Sequence, residues 1–125
     1  MVRIKRAYEP PARGDGYRVL VDRLWPRGVR KEGLRLDLWA KELAPSPALR
    51  TWFGHDPARF REFARRYHAE LRAAPACALL RELGGRAGSG TVTLVYGARD
   101  EQHNGAVVLR ERIEAAVAEQ GDRGA

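Results

Sequence analysis

Cysteine is almost missing from this chain: Cys77 stands alone in 125 residues. A single thiol excludes an intramolecular disulfide and any metal cluster built on cysteine alone. Histidine is scarce too, and His55, His68 and His103 lack the close spacing of a metal site, so neither metal nor cofactor is expected. No apolar run approaches the roughly 20 residues of a membrane span. The opening Met1-Val-Arg-Ile-Lys-Arg6 has no apolar stretch behind its charges, so no secretory signal is expected there. No phosphate-binding Walker loop occurs. Gly85-Arg-Ala-Gly-Ser-Gly90 precedes a strand pattern, the wrong order for a dinucleotide fingerprint. Ser46 and Ser89 have no nucleophile-elbow context and read as a helix cap and a loop residue.

Lysine occurs only at Lys5, Lys31 and Lys41, yet 23 Lys plus Arg face 16 Asp plus Glu, a net charge of +7. The excess is therefore arginine, whose planar fork matches phosphate oxygens in pairs. Net charge by itself argues only solubility and nonspecific association. Arg59, Arg61, Arg65, Arg66 and Arg72 fall on more than one side of a helix and are interrupted by Glu62 and Glu70, as on a solvated face. The apolar fraction, 44%, is too high for a disordered chain. The expectation is one basic, cytoplasmic domain over residues 1–119 with a frayed tail at 120–125.

Residues 2–8 alternate like a half-buried strand, and Val19-Leu-Val-Asp-Arg-Leu-Trp25 reads as a central strand that turns polar near its end. Leu36, Trp39, Ala40 and Leu43 have the spacing of a short helix. Ser46-Pro47 and Asp56-Pro57 are start signals for two further helices, the second carrying Phe60, Phe63, Ala64, Tyr67 and Leu71. A fourth helix opens at Pro75 and is expected to end in a flexible loop at 84–90. Thr91–Tyr96 is β-branched and apolar, a third strand, and Asn104 caps a last helix. This order predicts an α/β fold: a small, mostly parallel sheet of three to four strands flanked by about five helices.

A right-handed crossover places the loops after Trp25 and after Tyr96 at the same edge of the sheet, where open α/β sheets bind ligands. Asp22 and Arg23 are charges in an apolar strand and need either a partner, such as a buried ion pair, or a function. Asp22 and His103 are the candidates for proton transfer. Arg23, Arg27, Lys31 and Arg99 are candidates for holding an anion, and Tyr96 and Asn104 for orienting it. Each has a structural alternative: His103 as part of the helix cap, Tyr96 as core, the arginines in solvent. Cys77 among Ala76, Ala78 and Leu79 reads as a small buried thiol.

Asp15-Gly-Tyr-Arg-Val-Leu-Val-Asp-Arg-Leu-Trp-Pro-Arg-Gly28, with Lys31-Glu32, resembles the YeaO-like family of bacterial proteins, catalogued as domain of unknown function 488. The likeness continues through Trp39–Ser46, Leu49–Phe53, His55-Asp-Pro57, Thr93–Arg99 and His103-Asn104, with Arg99 where the family carries lysine. The resemblance implies a cytosolic bacterial α/β protein and brings no catalytic residue, substrate or cofactor. The leading expectation is thus a domain that binds, and acts on or merely holds, an anionic or nucleotide-like small molecule at the sheet edge. The alternatives are a nucleic-acid-binding or regulatory module using the arginine surface, and a structural partner protein with Trp and Arg at an interface.

Overall fold

The computed structural model describes the backbone of residues 1–124 and the side chains of residues 1–119. Four parallel strands form one sheet in the order β1 (Val2–Arg6), β4 (Val92–Tyr96), β2 (Tyr17–Leu20), β3 (Leu38–Trp39). The five helices are α1 (Lys31–Leu34), α2 (Pro47–Phe53), α3 (Phe60–Glu70), α4 (Ala76–Ser89) and α5 (Gly105–Gly124). This is the α/β architecture read from the sequence. The tail set apart at 120–125 lies outside the residues whose side chains are described.

β4 is buried along its whole length because it lies between two strands and is covered on both faces. Val92, Leu94 and Tyr96 join Val19, Val21 and the apolar stripes of α2 to α5 in one large core. On the opposite face Leu20 and Val95 pack with Ala7 and Leu34 in a small cluster, edged by Trp25, Leu36 and Trp39. The helix starts fall where the sequence places them. Ser46 Oγ accepts the Leu49 N–H at 3.2 Å, and Asp56 Oδ1 accepts the Ala58 N–H at 3.0 Å, capping a 3-10 turn, Pro57–Arg59, that leads directly into α3. Asn104 Oδ1 accepts the Val107 N–H at 3.1 Å, opening α5.

Three elements differ from expectation. Leu36–Leu43 is not a helix: it forms the edge strand β3 and a 3-10 turn, Lys41–Leu43. Its apolar residues serve two separate cores, Leu36 and Trp39 the small one and Ala40 and Leu43 the large one, so no single helical face could satisfy them. The Asp37 and Ala40 N–H groups instead donate to Arg18 and Leu20 carbonyls at 2.9 and 2.8 Å.

The glycine segment 84–90 is not a loop either. α4 continues through it to Ser89, because Leu83, Gly84 and Ala87 are buried and tertiary packing outweighs the poor helix propensity of glycine.

The second strand ends at Leu20 rather than Trp25. Val21 N–H still donates to Val95 O at 3.1 Å, but the next donor across, Gly97 N–H, turns to the Asp22 carboxylate at 2.8 Å. Asp22, Arg23 and Trp25 therefore occupy a loop at the carboxyl edge, and the face alternation expected for them is lost. Trp25 packs with Leu20, not with Val21.

Candidate functional site

The buried ion pair anticipated around Asp22 exists, but at other residues. Arg18, 4% exposed in β2, places Nη1 at 2.5 Å from Asp15 Oδ2, and Lys5 Nζ reaches the same carboxylate at 3.1 Å. Burial would raise the Asp15 pKa, yet the Ala12 N–H, Lys5 and Arg18 together hold it below the usual carboxylate value. Arg18 Nε and Nη2 also donate to Leu34 O, at 3.1 and 2.9 Å. These bonds tie β1, β2 and α1 together.

Asp22 is left to a different environment. Its Oδ2 accepts the Gly97 N–H, which joins the loops after β2 and β4. Its Oδ1 has no donor among the described residues. Desolvation pushes its pKa up, while the Gly97 N–H, Arg50 and His55 pull in the opposite direction without cancelling it. A carboxyl with that balance and one free oxygen is a candidate for holding a ligand.

Asp22 lines a cavity of about 280 Å³ at the carboxyl edge of the sheet. Its apolar wall is Val21, Phe53, Phe63 and Tyr67; Phe53 and Phe63 stack with ring centroids 4.2 Å apart. The Tyr67 hydroxyl donates to Leu43 O, and its burial raises the phenol pKa well above the usual value. Arg23, Arg27, Arg50 and His55 stand around the cavity with Tyr8 and Leu24, while Tyr96, Gly97, Asn104 and Gly105 form the side where α5 begins. Arg23 Nη2 donates to Pro45 O at 3.3 Å. The Arg27 and Arg50 guanidiniums have no hydrogen-bond partner among the described residues.

Five of the eight candidates from sequence thus meet at one cavity: Asp22, Arg23, Arg27, Tyr96 and Asn104. Tyr96 is buried, and its pKa is raised chiefly by desolvation, with the neighbouring Asn104 side chain acting in the opposite direction. Three lie elsewhere. His103 Nδ1 sits 2.9 Å from Asp100 Oδ2 and its ring meets Phe60 edge-on at 5.3 Å, so it fastens the loop before α5 rather than facing the cavity. The His103 and Gln102 N–H groups and the His103 ring together hold the Asp100 carboxyl below its usual range, the Gln102 N–H most strongly. Lys31 borders a separate, shallower depression beside Trp25 and Trp39. Arg99 is exposed and outside the cavity lining.

Sequence reasoning missed Arg50, His55, Phe53, Phe63 and Tyr67 as cavity residues. The aromatics carry an ordinary helical stripe and give no sign of lining anything. His55 offered a signal in its setting: it follows Gly54 before the Asp56-Pro57 start, and both residues hold positive φ, 54° and 58°. A histidine in the left-handed region is uncommon, and such residues concentrate at functional sites. Among the described residues no group of three or more His, Cys, Asp and Glu is placed to hold a metal ion, and no helix is long and apolar enough to cross a membrane.

Comparison with known proteins matches residues 1–125 to the family model DUF488-N3i, described as the inactive DUF488-N3 subclade. Among curated proteins, the chain is 47% identical over 112 residues to the uncharacterized protein Rv3073c of Mycobacterium tuberculosis strain H37Rv, covering 90% of this chain and 92% of that one. It is 40% identical over 110 residues to the uncharacterized protein YeaO of Escherichia coli K12, covering 88% and 94%. No solved structure matches.

Proposed function

Because the chain belongs to the DUF488-N3i family, the inactive DUF488-N3 subclade, we propose that it is a cytoplasmic binding domain rather than a catalyst, holding a small anionic ligand at the carboxyl edge of its sheet. The observation that carries this reading is the cavity itself. It has an apolar wall, a basic rim of Arg23, Arg27 and Arg50, and a carboxyl anchored to Gly97. Few convergent polar groups in an apolar concavity is the usual make-up of a small-molecule site. The first turn of α5 adds favourable dipole for an anion near Asn104 and Gly105. At about 280 Å³ the cavity lies just below the roughly 300–1,000 Å³ range of ligand pockets, which favours a mononucleotide or sugar phosphate over a dinucleotide.

The arginine surface gives less support to a nucleic-acid reading. Arg59 donates to Trp52 O at 2.6 Å, Arg66 lies over the Trp52 ring at 4.2 Å, and Arg65 pairs with Glu62 at 2.6 Å. Each of these guanidiniums already has a partner within the protein.

A thermal-shift screen against nucleotides, sugar phosphates and small organic acids tests the proposal. A ligand at a hundredfold its Kd stabilises by about 2.7 kcal/mol. In a chain of this size that raises Tm by roughly 10 °C. Arg27→Ala should lose most of that shift without lowering the Tm of the free protein, since its guanidinium is exposed. A shift unchanged by Arg27→Ala would move the site elsewhere.

A further inference from the structure

The charges around the cavity are of both signs: Arg50 and His55 act on the Asp22 carboxylate through space, but among the described residues no arginine is hydrogen-bonded to it. Asp22 gives one oxygen to the Gly97 N–H and keeps Oδ1 without a protein donor among the described residues. Arg27 and Arg50 likewise have no hydrogen-bond partner among the described residues, and they border the same cavity. Val21, Phe53 and Phe63 line the same cavity with apolar surface. A purely anionic ligand would satisfy the arginines and leave the desolvated carboxylate facing it without a donor, an unfavourable arrangement.

We propose that the ligand is bipolar: a nucleoside monophosphate whose base bears an exocyclic amino group, donated to Asp22 Oδ1 while the phosphate meets Arg27 and Arg50. This rests on the small-anion reading above and narrows it. The amino group supplies the missing donor, the planar base lies against the apolar wall, and the phosphate neutralises the rim. A base presenting a carbonyl at the same place sets oxygen against oxygen and is disfavoured. The selectivity is encoded by Gly97, because its N–H requires an acceptor and so fixes which atom of residue 22 faces the ligand.

That constraint gives a test by inversion. In Asp22→Asn the amide oxygen remains on the Gly97 N–H, and the amide NH₂, a donor, takes the place of Oδ1. Affinities are measured by calorimetry for AMP and CMP against IMP and UMP. Ribose 5-phosphate and inorganic phosphate serve as base-free probes. The wild-type protein should prefer the amino member of each pair by roughly 10-fold, the scale of one hydrogen bond to a charged group. Asp22→Asn should reverse the order. Equal binding of both members of each pair by the wild-type protein overturns the proposal, and does so even if the variant fails to fold. Binding of ribose 5-phosphate or phosphate, dependent on Arg27 but indifferent to the base, also overturns it while leaving the anion site standing. No binding of any of the six probes overturns the bipolar ligand, while the small-anion reading falls only if the wider screen of sugar phosphates and organic acids is also empty.

Discussion

Replacing Arg18 with alanine is expected to destabilise the fold by about 3 kcal/mol, as breaking a buried ion pair commonly does. The loss has two parts. Asp15, 3% exposed, keeps only Lys5 and the Ala12 N–H to offset its buried charge. Leu34 O loses both guanidinium donors, at 3.1 and 2.9 Å, and with them the bond that holds α1 over the small cluster. Lys5 stays at 3.1 Å from the carboxylate, which is why the expected figure is at the lower end of the range for broken buried pairs. Urea denaturation reads the result directly. The exposed Arg65 on α3, paired with Glu62, should by contrast be dispensable, since solvent screens such pairs. A loss under about 1 kcal/mol for Arg18→Ala would mean that the pair does not tie the strands together.

Gly16→Ala is expected to destabilise by about 3 kcal/mol or more. Gly16 joins the turn at Arg13–Asp15 to β2 with φ 62° and ψ −129°, a conformation that L side chains rarely adopt. A Cβ there would lie 2.3 Å from the carbonyl oxygen of Thr91, far inside van der Waals contact. That carbonyl is no flexible neighbour: it accepts the Tyr17 N–H at 2.9 Å and sets the register of β2 against β4. The clash is between the new Cβ and a backbone carbonyl, so relief requires moving the chain where it enters a central strand. Chemical denaturation of the variant, alongside Gly28→Ala, provides the comparison. Gly28 also has positive φ, 79°, but nothing lies within 4 Å of its would-be Cβ, so its loss should be the smaller of the two. Equal losses at both positions would show that backbone conformation alone, not the approach of Thr91, makes Gly16 necessary.

These two residues explain what the most recognisable segment of the sequence does. Asp15-Gly-Tyr-Arg18 is a structural joint: it buries an ion pair and brings two strands into register. The cavity begins only at Val21 and Asp22, where the same segment leaves the sheet. Sequence patterning revealed the parallel sheet, the helix starts at Ser46, Asp56 and Asn104, and the convergence of two loops at one edge, because each rests on local chemistry or on the handedness of crossovers. It could not reveal that Leu36–Leu43 divides between two cores, since a helical period and a strand straddling a sheet edge share those positions. Nor could it separate Asp15 from Asp22. Both are lone acids beside apolar strands, and only the fold decides that one meets Arg18 and Lys5 while the other meets a backbone N–H. His103 was placed near the right edge, but its ring is spent on Asp100 and Phe60. Arg50 and His55 come to the cavity from a helix and a turn remote in sequence, where periodicity carries no information about what they face.

On the proposed function, the carboxyl edge of the sheet is the ligand site. Titration of the isotope-labelled protein with AMP, followed by the backbone amide resonances, tests it most directly. The largest shifts should occur at Gly97, whose N–H is bonded to Asp22, and at Asn104 and Gly105 beside the cavity, with Arg61 and Arg72 unmoved. Shifts spread over the arginines of α3 with Gly97 and Gly105 unchanged would contradict it.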